Sequence, residues 1–185
     1  MVQVKGSTLV PRLKYLETRG NEAQQRQVME QLSTEFRARI QSGLLQSEWY
    51  PFADFVSLIR AMDRVFGRGD LAFVPPLARY AAEQALTTIY KVFYKVGSPE
   101  FIITRAARVW SQYYTSGHLQ VLPLGPKRVR LLLEDFETPA REHCLSVRGW
   151  IEQTLEMSGG RNIRVDELQC RAQGKPQCEF MCSWQ

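Results

Sequence analysis

The sequence predicts an α+β fold in which a small antiparallel sheet of about four strands packs against helices, with an N-terminal helical part. Apolar residues recur at helical spacing through most of the first 117 residues. The pattern then changes twice to short strand-like runs around turns, at Gly125 and at Gly174. A further helical pattern separates these two hairpins, so one side of the sheet is predicted to carry helices.

The N-terminal third is predicted to be helical. Residues 11–16 form a short apolar-periodic piece. Residues 22–40 read as one helix, because Val28, Leu32, Phe36 and Ile40 recur at every fourth position. Gly43 is placed to end that helix. A second helix is expected from Pro51, a residue suited to a first helical turn, to about Phe66.

Two more helices are predicted in the middle of the chain. The pair Pro75-Pro76 opens a long helix with a broad apolar face, and Gly97-Ser98-Pro99 breaks it. Ser98 is a suitable N-cap for the following helix, because its hydroxyl can accept from a free backbone N–H. That helix is expected to continue to Gly117.

The first hairpin joins predicted strands at residues 118–124 and 129–134. Thr138 is the predicted N-cap of the next helix, with Pro139 in its first turn. This helix is expected to run to about Met157, where a Ser-Gly-Gly sequence ends it.

The second hairpin closes the chain, with predicted strands at residues 162–172 and 178–184. We interpret residues 1–70 as the N-terminal helical part of one domain, and residues 71–185 as its helix and sheet core. A chain of 185 residues that is 44% hydrophobic suits one globular domain.

Composition and charge exclude several classes of protein. The net charge is +5, but the densest basic cluster, residues 127–130, has only three basic side chains, so nucleic-acid binding is not predicted. No stretch approaches the roughly 18 apolar residues of a membrane span, and the N-terminus lacks the apolar segment of a signal peptide. A cytoplasmic location is therefore expected, where thiols stay reduced.

The four cysteines lie between positions 144 and 182. Across the closing turn, Cys170 and Cys178 are approximately opposite one another, and facing Cβ atoms in a sheet lie about 5 Å apart. A bulge near Leu168 would turn Glu167 to the same face. With Cys144 from the preceding helix, the set Cys144, Glu167, Cys170 and Cys178 would make a closed tetrahedral site, which is typical of structural zinc.

A second interpretation needs no metal. Cys178, Phe180, Cys182 and Trp184 alternate along one strand face, and buried cysteines behave as small apolar residues. The cysteines could therefore be part of the core, with Glu167 a solvated charge. Spacing alone leaves both interpretations open.

The C-terminal stretch that holds the cysteines, residues 144–184 (the cysteine block), resembles a known domain family. The matching features are Gly149-Trp150, the Gly159-Gly160 break, and the run from Val165 to Gly174 that Cys178-Glu179-Phe180 follows. Over roughly residues 86–184 these features are similar to the vinyl-4-reductase (V4R) domain, in the superfamily of the TRAPP transport-particle subunits and the haem NO-binding domains. The N-terminal helices more loosely resemble a poorly characterised myxobacterial family of about this length.

The resemblance implies a sensor or scaffold domain, often a homodimer, with a hydrophobic pocket between helices and sheet. It also implies a structural zinc held by a Cys, a Glu-x-x-Cys pair and a further Cys, which Cys144, Glu167, Cys170 and Cys178 match in order. Pocket candidates come from the pattern of large aromatic residues alone. They are Tyr90, Phe93, Trp110, Tyr113 and Trp150, and filling an ordinary core is the alternative role for them.

Haem is not expected from the sequence. The haem branch of the superfamily uses a proximal His and a Tyr-x-Ser-x-Arg triad. Here Tyr114 and Ser116 match the triad, but His118 stands in place of the Arg, and no His precedes it. An arginine at position 118 would bind a haem propionate through two N–H groups, and the histidine that stands there lacks this fork.

Enzyme signatures are absent from the sequence. It has no Gly-rich phosphate loop, no His-x-x-x-His and no Gly-x-Ser-x-Gly. The sequence therefore predicts a non-enzymatic binding module that senses a small hydrophobic ligand and acts through contacts with a protein signalling partner. A ligand-free scaffold or adaptor of the same fold is the alternative, and a tetrapyrrole-handling enzyme is a third hypothesis.

Overall fold

The computed structural model describes residues 1–89 and 98–185, and it confirms the α+β prediction. The described helices are α1 (Gly6–Arg19), α2 (Glu22–Glu30), α3 (Thr34–Ser42), α4 (Phe52–Phe66), α5 (Val74–Ile89), α6 (Pro99–Arg108) and α7 (Arg141–Met157). The strands are β1 (Gln3–Lys5), β2 (Trp49–Pro51), β3 (His118–Pro123), β4 (Arg128–Glu134), β5 (Arg164–Gln169) and β6 (Cys178–Ser183).

The two predicted hairpins join into one antiparallel sheet of four strands, in the order β3-β4-β6-β5. The second strand of each hairpin lies at the centre, with Leu131 of β4 opposite Phe180 of β6. The register of β5 shifts between Glu167 and Gln169, so the expected bulge is present at Leu168.

The N-terminus forms a second, two-stranded sheet that the sequence pattern does not reveal. Gln3 pairs with Pro51 and Lys5 with Trp49, while Val4 also bridges to Tyr114. Helix α1 is correspondingly longer than the short piece predicted at residues 11–16. Pairing across more than forty residues depends on tertiary packing, so a local pattern could not show it.

The single helix predicted over residues 22–40 is wrong, because the chain forms two helices there. Asn21 caps α2 with a reciprocal capping box, and the Ser33 hydroxyl accepts from the Phe36 N–H to start α3. The Ser33 cap starts a new helix within the apolar repeat over residues 22–40, so a continuous apolar repeat does not guarantee one continuous helix. Gly43 ends α3, as predicted.

Helix boundaries in the second half agree in part with the prediction. Ser98 accepts a hydrogen bond from the Phe101 N–H at 3.3 Å, as expected of the α6 cap. However, α6 ends at Arg108, well before Gly117, and a 3₁₀ turn follows at Trp110–Gln112. Helix α7 begins at Arg141 without a side-chain cap, so Thr138 and Pro139 precede it. The predicted break at Gly97 lies outside the described residues.

The buried apolar side chains of both parts of the chain form one contiguous core. Helix α7 lies between the sheet and α5, and Ile151 and Leu155 of α7 are fully buried. Because α1 also packs on α5, these helices enclose a space beside the sheet. Among the described residues, no helix is both long enough and apolar enough to cross a membrane.

Candidate functional site

A cavity of about 80 Å³ lies where α1, α5, α7 and β3 meet. The 3₁₀ turn at Trp110–Gln112 and the residues beside it close one end. The described residues that line it are Ser7, Thr8, Arg12, Ala78, Ala81, Ala82, Ala85, Val109, Trp110, Tyr113, Tyr114, Leu119, Ser146, Val147 and Trp150. Its walls are therefore mainly apolar, with one cluster of polar groups.

Small side chains on α5 leave room for the cavity. Ala78, Ala81, Ala82 and Ala85 recur at helical spacing, so they share one face of α5, and all four line the space. Ala78 and Ala82 are each 1% exposed. Larger side chains at these positions would fill the space.

Three of the five predicted pocket residues line this cavity: Trp110, Tyr113 and Trp150. The other two, Tyr90 and Phe93, lie outside the described residues. Trp110 stacks on Tyr114 with ring centroids 4.5 Å apart, and its indole N–H donates to the Ser116 carbonyl at 3.0 Å. With that donor satisfied, the indole offers an apolar surface to the cavity.

The polar groups of the cavity centre on Arg12 of α1, which is only 5% exposed. Its guanidinium donates to the Thr8 carbonyl and, at 2.6 Å, to the Ser146 hydroxyl of α7. It also lies over the Phe55 ring, 4.9 Å from the centroid. Its Nε has no hydrogen-bond partner among the described residues.

Burial shifts the pKa values of Arg12, Tyr114 and His143. Burial lowers the pKa of Arg12 to about 10, which leaves it charged at pH 7. Burial raises the pKa of Tyr114 to about 12, against the opposing effect of Arg12. The pKa of His143 falls to about 3, through burial first and the Arg12 charge second. Tyr114 and His143 are therefore neutral at pH 7.

Three of the four predicted metal ligands form a second candidate site. The thiols of Cys144, Cys170 and Cys178 meet between α7 and the closing hairpin, and all three are buried. The Cys144 Sγ atom lies 3.3 Å from the Sγ atoms of both Cys170 and Cys178. Three 2.3 Å bonds to a tetrahedral ion would place sulfur atoms roughly 3.8 Å apart. A small outward shift would therefore make a three-thiolate site.

Glu167 lies beside this cluster, but the structure does not place it among the three grouped ligands. One of its carboxylate oxygens pairs with Arg141, and the other is buried without a partner among the described residues. A role as fourth ligand would require the ion pair with Arg141 to loosen.

The three thiols differ in acidity. The hydrogen bond from the Cys144 thiol lowers the pKa of Cys178 to about 7, and the Arg171 N–H, 3.4 Å away, contributes in the same direction. Burial raises the pKa of Cys170, and the hydrogen bond to Cys178 raises that of Cys144. Cys178 is therefore the thiol that most readily becomes a thiolate.

Comparison with known proteins identifies the fold. No protein-family model matches the chain, and no curated protein matches it in sequence. Solved structures do match over nearly its whole length. An H-NOX protein from S. oneidensis in the Fe(II)NO ligation state has a TM-score of 0.75 at 13% identity, covering 98% of this chain and 99% of that one. The Fe(II) unliganded H-NOX protein from K. algicida gives 0.67 at 10% identity, with 98% and 96% covered.

The chain has the H-NOX fold. This fold is related to the superfamily that the cysteine block resembles. Membership of the vinyl-4-reductase domains stays a prediction. At such low identity, the likeness to H-NOX structures shows the fold alone.

The comparisons contradict the expectation that the chain carries no haem. A further neighbour, described as "Modulating Heme Redox Potential Through Protein-Induced Porphyrin Distortion", has a TM-score of 0.70 at 12% identity and covers 97% of this chain and 99% of that one. The expectation was wrong because it relied on a motif and left the fold out. The comparisons also give no support to zinc, although the cysteine cluster is present.

The described cavity meets only part of what a haem requires. Arg12 suits a propionate carboxylate. Among the described lining residues, the only side chains of a kind that serves as an axial ligand are the phenols of Tyr113 and Tyr114. The volume of about 80 Å³ is below the roughly 300–1,000 Å³ of cofactor sites. Haem stays a candidate occupant.

Sequence reasoning missed Arg12 and Ser146, which hold the polar end of the cavity. In sequence, Arg12 is one of the 24 basic residues, and nothing local marks it as buried. The one available signal was its position between apolar neighbours in the short piece at residues 11–16.

Proposed function

We propose that the chain is a non-enzymatic sensor domain that binds a small hydrophobic molecule in the cavity between α1, α5 and α7. The observation that carries this proposal is the cavity itself, which is lined by four alanines of α5 and by Trp110 and Trp150. Apolar walls with a few convergent polar groups are typical of small-molecule sites.

The same geometry suggests how binding could be passed on. The cavity touches α1, α5 and α7, so a ligand that fills it stabilises one spacing of these three helices. Their outer surfaces could transmit that change to a protein partner. Homodimerisation and a signalling partner are predictions from the family resemblance.

The polar groups of the cavity do not form a catalytic arrangement. The Ser146 hydroxyl accepts from Arg12, a permanent cation that cannot serve as a general base. Among the described residues, the Nε2 of buried His143 has no hydrogen-bond partner, so it activates no hydroxyl there. A binding role agrees with this chemistry better than an enzymatic one.

The test is thermal unfolding with a neutral apolar probe, toluene. We expect toluene to raise the Tm of the wild-type protein and to change its tryptophan fluorescence, because ligand that binds only the folded state stabilises it by mass action. Ala82→Leu should abolish both effects by filling the cavity. Ala53→Leu, at an exposed position on α4, is the matched control and should leave them unchanged.

Two other outcomes would redirect the proposal. A Soret absorbance band in the purified protein, with about one haem per chain by extraction, would replace the small molecule with haem. If neither haem nor any toluene effect is found, while Ala82→Leu leaves the stability unchanged, the ligand-free scaffold would be favoured instead.

A further inference from the structure

Arg12 is a buried cation that forms no ion pair with any described residue. The two acceptors that it contacts, the Thr8 carbonyl and the Ser146 hydroxyl, are both neutral. A guanidinium has five N–H donors, so these two contacts leave part of the fork free, including the buried Nε.

Within the part of the chain that the structure describes, this cation has no counter-ion. Among the described residues, Arg12 takes part in no salt bridge. The side chains outside the described set, at positions 86–97 and 106, include neither Asp nor Glu. Tyr114 and His143, which lie near Arg12, are neutral at pH 7.

Other arginines of the chain show the contrast. The side chains of Asp54, Glu142 and Glu167, each at most 11% exposed, are paired with Arg39, Arg60 and Arg141 respectively. These three arginines are at least 31% exposed at the side chain, whereas Arg12 is 5% exposed as a whole residue. The fold thus pairs these three carboxylates with arginines, while Arg12, its most buried arginine, has no ion-pair partner among the described residues. An unpaired buried charge lowers the stability of the folded state.

This unpaired cation lines the apolar cavity. We infer that the ligand of the cavity is a small apolar carboxylate whose acid group pairs with the Arg12 guanidinium. The inference rests on the proposed binding function and names its ligand class. One cation matches one monoanion, and a planar carboxylate matches the free edge of the guanidinium fork. A phosphate dianion would bring a second charge into apolar walls whose described residues include no second cation.

The size of the cavity limits the rest of the ligand. A cavity of about 80 Å³ has room for roughly six waters, each taking about 10–15 Å³. That corresponds to a ligand of roughly six to ten non-hydrogen atoms. Benzoate and hexanoate are of this size, and the Trp110 and Trp150 surfaces suit the apolar part of either.

A purely structural role for Arg12 makes a different prediction. In that case, its hydrogen bond to Ser146 and its position over Phe55 serve to join α1 to the rest of the core. Arg12→Met would then lower the Tm and weaken all cavity ligands alike. If Arg12 serves a ligand anion, Arg12→Met keeps or raises the Tm, because it removes an unpaired buried charge.

The test is calorimetric titration of the whole chain at pH 7.5 with benzoate and with its neutral isostere, benzamide. We expect wild type to bind benzoate at least about tenfold more tightly. Arg12→Met should remove this preference while keeping toluene binding, and Arg12→Lys should retain part of it. Arg39→Met, at a half-exposed ion pair, is the control and should leave the preference intact.

The outcomes separate this inference from the proposed function. Equal affinity of wild type for benzoate and benzamide would overturn the carboxylate assignment and leave the binding function standing. Failure of toluene, benzoate and benzamide to bind would overturn both. If Arg12→Met does not fold, the structural role is supported, and the comparison of benzoate with benzamide on wild type still decides the ligand class.

Discussion

Gly149 of α7 faces the carbonyl oxygen of Pro75 on α5 so closely that a β-carbon at Gly149 would lie 2.4 Å from it. The Pro75 α-carbon, at 2.8 Å, and the Ala78 β-carbon, at 3.0 Å, would also be too near. This contact sets the spacing of α5 and α7, the two helices that form the cavity walls with α1.

Gly149→Ala is therefore expected to destabilise the fold, although alanine is the better helix former by about 1 kcal/mol. Overpacking at such a contact costs about 1–3 kcal/mol, and the clash is with backbone that cannot rotate away. With the cost at the upper end of that range, we expect a net loss of about 2 kcal/mol, and a Tm lower by roughly 4–8 °C for a chain of this size. Gln153→Ala, on the same helix, is the control. An unchanged or higher Tm for Gly149→Ala would mean that the two helices can separate freely.

Asp63 holds the connection between α4 and α5. Its side chain is fully buried and accepts hydrogen bonds from the backbone N–H groups of Leu71, at 2.8 Å, and Phe73, at 3.1 Å. Asp63→Ala leaves both donors unpaired, so we expect the free energy of unfolding in urea to fall by about 2–4 kcal/mol. Asp63→Asn should cost less, because its single amide oxygen can still accept from one of the two N–H groups, which Asp63 binds through separate oxygens.

Asp70→Ala is the control for Asp63, since exposed Asp70 accepts, among the described residues, only from the Ala72 N–H, at 3.0 Å. Water can replace that bond, and we expect a loss below about 1 kcal/mol. Similar losses at the two positions would contradict the role given to Asp63.

The sequence predicted the features that depend on local signals, and it did not predict those that depend on contacts between distant segments. Most elements were predicted because caps and turns such as Gly43, Ser98 and Gly125 are local signals. The joining of the hairpins along β4 and β6, the pairing of β1 with β2 and the burial of Arg12 depend on contacts between distant segments. No periodicity in a short window carries that information.

The candidate sites follow the same division. The cysteines were grouped from hairpin register and helix order, and the structure brings three of them together. The sequence did not predict that the Glu167 carboxylate pairs with Arg141 instead of lying with the thiols. That ion pair depends on where α7 begins, because Arg141 is its first residue. The expectation that the chain carries no haem was based on one motif, in which His118 replaces an arginine. The fold matches H-NOX structures although that motif residue differs, and a local motif could not show this.

His143 predicts a pH dependence of stability. The imidazole is 1% exposed, packs on Phe136 with ring centroids 4.4 Å apart, and has a pKa lowered to about 3. In the unfolded chain its pKa is about 6.5, so below that pH the unfolded state binds a proton that the folded state refuses. Stability should therefore fall as the pH drops from about 6.5, by up to about 1.4 kcal/mol per pH unit, until about pH 3.

The measurement for His143 is urea unfolding between pH 7 and pH 5, a range above the ordinary pKa values of carboxylates. His143→Phe keeps an aromatic ring in the cluster and should remove the added slope. His118, which is exposed beside Glu134, supplies the control variant His118→Gln, in which the slope should remain. A wild-type stability that is constant across this range would show that His143 takes up its proton as readily in the folded state as in the unfolded chain.

The cysteine cluster predicts binding of a thiophilic metal ion. Three buried thiols within 4.8 Å of one another form most of a tetrahedral thiolate site, and the low pKa of Cys178 favours the first deprotonation. We expect elemental analysis of the purified protein to find about one such ion per chain, and a chelator to lower the Tm. Cys144→Ser, Cys170→Ser and Cys178→Ser should each reduce the metal content towards zero.

Cys182 provides the matched control, because it is fully buried on the same strand as Cys178 but lies outside the cluster. Cys182→Ser should lower stability through the burial of a hydroxyl and leave the metal content unchanged. Arg141→Gln frees the Glu167 carboxylate, so it should tighten metal binding if Glu167 completes the tetrahedron and have no effect if a water does. Absence of metal, with equal destabilisation by all four serine substitutions, would instead identify the cysteines as apolar core residues.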